Sequence, residues 1–192
     1  MITLHEEPLS ALDEHGRVPI AFPVTRVLEV VDGGLGGLAL AERTVEEPWI
    51  KDYDAIHGEG PRRWADRFDV SRWGLIAARE DGARIGGAVI AFGSDDVHML
   101  EGRRDLAVLW DLRVAPDARG RGVGARLFHA ACGWAAARGC RWLKVETQNI
   151  NVGACRFYAR QGCVLGGINR FAYPGLPDEV QLLWYRDLRR AE

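Results

Sequence analysis

Apolar and polar positions along the chain fall into patterns that mark most of its elements. From Val123 to Ala137 the apolar residues Val123, Leu127, Ala130, Ala131 and Trp134 recur at helical spacing, and Gly139 follows as a stop, so this stretch is a predicted amphipathic helix. Residues 73–79 and 85–92 are apolar runs separated by Glu80-Asp81-Gly82, and Asp-Gly between two such runs predicts a hairpin. Further along, residues 105–114 read as a strand and 142–147 as a shorter one. Residues 152–161 read as a helix stopped by Gly162, and 164–173 and 180–187 as closing strands.

The first third is patterned more weakly. Residues 24–31 have strand-forming content, Gly33-Gly34 and Gly36-Gly37 mark a turn, and 38–54 include a strand that Pro48 is expected to break. Pro61 is well placed to open a short helix through Phe68. Residues 1–23 mix charges with scattered apolar positions and predict a loosely docked arm or short elements. Strands first, then strand, helix, strand, helix and two strands, is an α+β order with one central β-α-β crossover.

A chain of 192 residues fits a single domain over 1–192 and can bury about 70% of its unfolded surface. With 27 acidic and 25 basic residues its net charge is −2, which gives no global electrostatic reason to bind nucleic acid or an anionic membrane. No apolar run approaches membrane-spanning length, and Glu6, Glu7, Asp13 and Glu14 replace the basic start of a signal peptide, so a cytoplasmic protein is expected. Cys132, Cys140, Cys155 and Cys163 lack Cys-x-x-Cys or zinc-finger spacing; they read as reduced, mainly core thiols, and no metal is expected.

One segment changes this neutral picture. Arg119-Gly120-Arg121-Gly122-Val123-Gly124 joins a predicted strand to the predicted helix. A helix start offers unpaired N–H groups and the positive end of its dipole, and glycines let a phosphate reach them. A P-loop is excluded because Gly124-Ala125-Arg126 supplies neither its lysine nor its hydroxyl. The dinucleotide fingerprint is matched literally by Gly120, Gly122 and Ala125, with Glu146 in place of the ribose acid, yet Ala115 to Arg119 separates the strand from the first glycine. A plain glycine-rich helix cap remains the bland alternative.

Arg119-x-x-Gly122-x-Gly124 resembles the pyrophosphate loop of the GNAT superfamily of acyl-CoA-dependent N-acyltransferases. The segment from Asn151 through Ala154 and Tyr158 to Gly162 resembles that family's second motif, at its usual distance from the loop. The likeness covers roughly residues 73–187, and Trp110 to Val114, Glu146 to Asn151 and Leu183-Trp184-Tyr185 are most similar to streptothricin acetyltransferases. Cys163 departs from the family, which commonly has phenylalanine there. The resemblance implies the GNAT fold: a mixed, mostly antiparallel sheet whose strands splay around the crossover helix to form an acyl-CoA cleft. It also implies acetyl-CoA as cosubstrate and direct transfer to a primary amine.

Each chemical demand of that reaction has a candidate residue. Backbone from Arg119 to Gly124, including Val123, would hold the pyrophosphate, with charge added by Arg119 and Arg121. Leu112 and Val114 would pair with pantetheine, Val114 N–H serving as oxyanion donor. Tyr158 would protonate a thiolate whose conjugate acid lies at about 8.5, and Asn151 would bond the cofactor, cap the helix, or both. An ammonium of pKa about 10 needs a base, for which Asp111 and Glu146 compete; the alternative for Asp111 is burial as the ion partner of Arg113, Arg141 or another cation. The expected partner is a small-molecule amine, with a streptothricin-like antibiotic suggested by the resemblance; homodimerisation stays open. The rivals are a protein N-terminal or lysine acetyltransferase and a non-catalytic acyl-CoA sensor.

Overall fold

The computed structural model describes residues 1–56 and 58–189. Its strands are β1 (Ile2–Glu7), β2 (Phe22–Asp32), β3 (Leu38–Lys51), β4 (Gly74–Glu80), β5 (Ala83–Ala91), β6 (Leu106–Val114), β7 (Trp142–Gln148), β8 (Val164–Asn169) and β9 (Gln181–Asp187). Its α-helices are α1 (Leu12–His15), α2 (Pro61–Arg67), α3 (Val123–Ala137) and α4 (Val152–Arg160). The chain divides into two compact units, one of Met1–Ala21, Asp52–Lys144 and the residues from Asp187, the other of Phe22–Lys51 and Val145–Arg186.

In the first unit β1, β4, β5 and β6 pair antiparallel in that order. The predicted hairpin is β4–β5, closed by Asp81 and Gly82, both at positive φ as a two-residue turn of the right hand requires. Of the loose arm and the short elements expected over residues 1–23, the structure has the short elements. β1 runs in register along β4 from Ile2↔Glu80 to Glu7↔Leu75, and Leu12, His15 and Val18 behind it are buried. The pattern is hard to read from sequence because an edge strand buries only alternate residues of a short segment.

Strand alternation gives this sheet two different faces. Gly74 turns toward Trp134 of α3, whose buried stripe is Val123, Leu127, Phe128, Ala131, Trp134 and Ala135. Leu75, one residue on, joins Val89, Val108, Leu12, Trp64 and Trp73 in an apolar cluster on which Phe68 and Trp110 pack. Trp110 occupies a bulge, since Val89 pairs with Asp111 and Ile90 with Leu109. Beyond the bulge Asp111 and Arg113 are buried while Leu112 and Val114 are half-buried.

In the second unit β2 and β3 form a two-stranded ribbon. β3 does not stop at Pro48: pairing leaves register after Val24↔Trp49 and resumes at Arg26↔Thr44, so Pro48 falls where the ladder is already interrupted and no N–H is needed. A small core of Val24, Val27 and Ile150, joined by Phe22 and Val45, holds this unit. β8 pairs antiparallel with β9 and ends at Asn169, short of the predicted residue 173, leaving Tyr173 in the intervening turn.

Gly87 of β5 lies against His15, where a Cβ would stand 2.5 Å from Nδ1. Gly87→Ala is therefore expected to destabilise the protein by about 1–3 kcal/mol, as overpacking does. Urea unfolding measures it, and an unchanged midpoint would mean that α1 yields without cost.

Candidate active site

The loop before α3 has the backbone geometry that leaves N–H groups open at a helix start. After a 3-10 turn at Pro116–Ala118, Arg119 is extended, Gly120 has φ 75° and Gly122 has φ 80° at the helix N-cap. Only glycine accepts that left-handed geometry without strain. No side chain caps the helix, and the first intrahelical bond is Arg126 N–H to Gly122 C=O at 3.1 Å. The N–H groups of Val123 and Gly124 thus open the helix, and no acidic residue lies in its first turn.

The two loop arginines are occupied within the protein. Arg121 makes a 2.6 Å ion pair with Glu80, which raises its proton affinity through that hydrogen bond. Arg119 Nε donates to the Val114 carbonyl at 3.1 Å. That contact also orients β6: Ala115 N–H bonds across to Ile85 C=O, so by antiparallel alternation the main-chain groups of Leu112 and Val114 face the strand edge away from β5.

Asp111 is engaged more fully than any other acidic candidate. Arg113 holds it through Nε at 2.9 Å and Nη2 at 2.7 Å, and His15 Nε2 lies 2.7 Å from its Oδ1. Arg113 is itself shared with Asp54, at 2.7 and 3.2 Å, and with the Val18 carbonyl at 3.0 Å. Burial pushes the Asp111 carboxyl up, but the Arg113 guanidinium and the hydrogen bonds from Arg113 and His15 outweigh it and hold the group well below the usual carboxylate range. Arg113 responds in kind: burial works against its charge, and the carboxylates of Asp111 and Asp54 raise its proton affinity nonetheless. Of the two cations weighed as partners from the sequence, Arg113 is the one in contact; Arg141 lies 4.0 Å from Asp187.

Glu146 belongs to the second unit and has neutral neighbours. Its Oε1 accepts from the Tyr173 hydroxyl at 2.5 Å, and its Oε2 accepts from Gln181 Nε2 at 2.7 Å. Gln148 Nε2 reaches the Tyr173 oxygen at 2.9 Å. Also in this unit, Asn151 Oδ1 accepts from Ala154 N–H at 3.1 Å, a helix cap as its residue type favours. Tyr158 is buried on α4, its ring edge-on to Phe157. Cys155 is buried beside Thr147, and burial pushes its thiol up to about 11, which leaves little thiolate for covalent catalysis.

The sequence did not single out His15, Asp54, Tyr173, Gln148 or Gln181. The one local signal was Glu146-x-Gln148, since alternate strand residues share a face. The other contacts are made by residues distant in sequence. Among the described residues no cluster of His, Cys, Asp and Glu could hold a metal ion.

Residues 40–163 match the model of the acetyltransferase (GNAT) family, and the chain belongs to that family. It is 38% identical to streptothricin acetyltransferase A of Bacillus subtilis (strain 168) over 81 residues, which is 41% of this chain and 47% of that one. The chain therefore spans about half the length of this curated relative. The crystal structure of nourseothricin acetyltransferase superposes with a TM-score of 0.77 at 24% identity, covering 97% of this chain and 98% of that one. A candidate streptothricin acetyltransferase of Bacillus anthracis str. Ames, solved in complex with acetyl coenzyme A, gives a TM-score of 0.75 at 25% identity, with 97% of each chain covered. The fold is thus the GNAT fold, an α+β architecture.

Asp111→Asn is expected to act first on stability, by about 3–5 kcal/mol, because it leaves the buried guanidinium undercompensated. With its folded pKa depressed, Asp111 contributes stability that is present above the unfolded carboxyl value and lost as pH falls below it. Denaturation of parent and variant at pH 7 and pH 3 should show a gap that narrows in acid. A variant of parental stability with reduced turnover would instead restore Asp111 as a base.

Proposed function

We propose that this protein is an acetyl-CoA-dependent N-acetyltransferase that moves the acetyl group directly to a primary amine of a small molecule of the streptothricin class. The observation that carries the reading is the uncapped, carboxylate-free start of α3 behind two positive-φ glycines, in a chain of this family. The kinship to streptothricin acetyltransferases supports the acceptor class, and the acetyl coenzyme A complex of the Bacillus anthracis neighbour supports the cosubstrate.

In this reading the backbone N–H groups between Arg119 and Gly124 hold the pyrophosphate. Leu112 and Val114 offer main-chain groups to pantetheine. Glu146 takes the proton of the incoming ammonium, directly or through water, since Asp111 is committed to Arg113 and His15. The free amine attacks the thioester carbonyl carbon, and the Val114 N–H stabilises the resulting oxyanion. Collapse breaks the C–S bond, Tyr158 donates its phenolic proton to the departing thiolate, and the proton shed by the nitrogen as the amide forms restores the phenol through solvent. Asn151 orders the start of α4, on which Tyr158 is carried.

A panel of amines that includes streptothricin, a peptide N-terminus and a lysine peptide, read by release of free CoA thiol, tests the acceptor. Turnover with the peptides alone would establish a protein acetyltransferase, and acetyl-CoA binding without any turnover would establish a sensor. Gly122→Glu forces a side chain onto φ 80° and places a carboxylate at the anion site, so calorimetry should show acetyl-CoA binding abolished in a folded variant. Retained affinity would remove the loop from the site. For Tyr158→Phe, kcat should fall about 10–10³-fold with little change in melting temperature. A loss of stability in proportion to activity would mark a packing tyrosine.

A further inference from the structure

Alternation along β7 turns Glu146 and Gln148 to one face, while Thr147 turns to the other, where it accepts from Trp184 Nε1 and contacts Cys155. On the Glu146 face the donors form a directed chain. Gln148 Nε2 donates to the Tyr173 oxygen at 2.9 Å, which commits the phenolic proton to Glu146 Oε1 at 2.5 Å. Gln181 Nε2 independently fills one site on Oε2 at 2.7 Å. The phenol–carboxylate distance lies in the charge-assisted range, and a chain of donors polarised in one direction strengthens each member.

We infer that Tyr173, supported by Gln148 and assisted by Gln181, is the positioning residue that locks the Glu146 carboxylate in one orientation toward the acceptor's ammonium. The Tyr173 hydroxyl on Oε1 and Gln181 on Oε2 fix the carboxylate plane; Gln148 Nε2 also approaches Oε1, at 3.4 Å, so Oε2, with one donor, is the oxygen that keeps a lone pair for a cationic donor. Neither Tyr173 nor the glutamines carry charge, so these hydrogen bonds hold the Glu146 carboxylate without neutralising it. Asp111 is the opposite case, with Arg113 taking both its oxygens. A charged oxygen held in one orientation suits a protonated primary amine, one of whose N–H donors can meet it. Tyr173 acts through Glu146 and need not touch the substrate.

The role rests on the proposed assignment of Glu146, and a double-mutant cycle separates the two. Parent, E146Q, Y173F and the double variant are assayed with acetyl-CoA and streptothricin, with melting temperatures measured on the same preparations. Y173F should lower kcat/KM for the amine about 10–100-fold, the range for a lost hydrogen bond to a charged group, mostly through KM. The KM for acetyl-CoA should hold within about twofold, and in the E146Q background Y173F should cost almost nothing, because the group it positions has lost its charge. Additive losses would overturn the inference by giving Tyr173 a role independent of Glu146. Equal loss toward both substrates with a lowered melting temperature would overturn it in favour of a structural tyrosine. An active parent with a silent Y173F removes Tyr173 alone, whereas a parent that acetylates no amine overturns the proposed function and this role with it.

Discussion

The buried guanidinium of Arg113 is the constraint around which the first unit is arranged. A charge taken out of water inside a strand is tolerable only when its donors are answered, and Arg113 makes five hydrogen bonds, to Asp111, Asp54 and the Val18 carbonyl. Those partners come from β6 itself, from the segment after β3 and from the turn after α1. His15 closes the arrangement by bonding Asp111, and Gly87 gives it room. The N-terminal residues are consequently part of the sheet and its core. Their anchorage is electrostatic as much as apolar, since Arg79 and Arg84 also pair with Glu7 and Glu14.

This arrangement divides the acidic residues by task. Asp111 sits in an apolar strand beside the residues expected to meet the acyl group, which makes it attractive as a base, but its oxygens are taken by cationic or imidazole donors. Glu146 is bonded by a phenol and amides, which hold its charge without cancelling it. The carboxylate that ties the first unit together and the one proposed to receive a cation thus differ in their partners as well as in burial, Asp111 being buried and Glu146 half-buried. The same distinction applies at the loop before α3, where Glu80 occupies Arg121, so the proposed anion binding falls to the main chain.

Where the chemistry is local, the residues announced it. The Asp81-Gly82 turn and the limits of α3 follow from short-range patterns and stand where the sequence placed them, and four of the five apolar positions read for the stripe, Val123, Leu127, Ala131 and Trp134, are buried. Asn151 capping α4 belongs to the same class. What was illegible depends on pairings between distant residues. β1 looked like an arm because its partner strand begins about seventy residues later in the chain, and Pro48 looked like a breaker because the bulge that accommodates it is a property of the β2–β3 ladder. Tyr173 sat in what read as a strand end, and only the turn between β8 and β9 brings its hydroxyl to Glu146.

The Arg113 cluster also bears on the order in which the chain acquires its structure. His15 and Asp111 are 96 residues apart, Asp54 and Arg113 59 apart, so the cluster cannot close before long loops have been formed. Until then, burying Arg113 would leave a desolvated charge, which penalises every compact state that lacks its partners. A slip of β6 by one residue along β5 would turn Arg113 and Asp111 toward the apolar stripe of α3, Leu127 and Phe128 included. The cluster therefore proofreads strand register: near-native alternatives are excluded by the stranded charge.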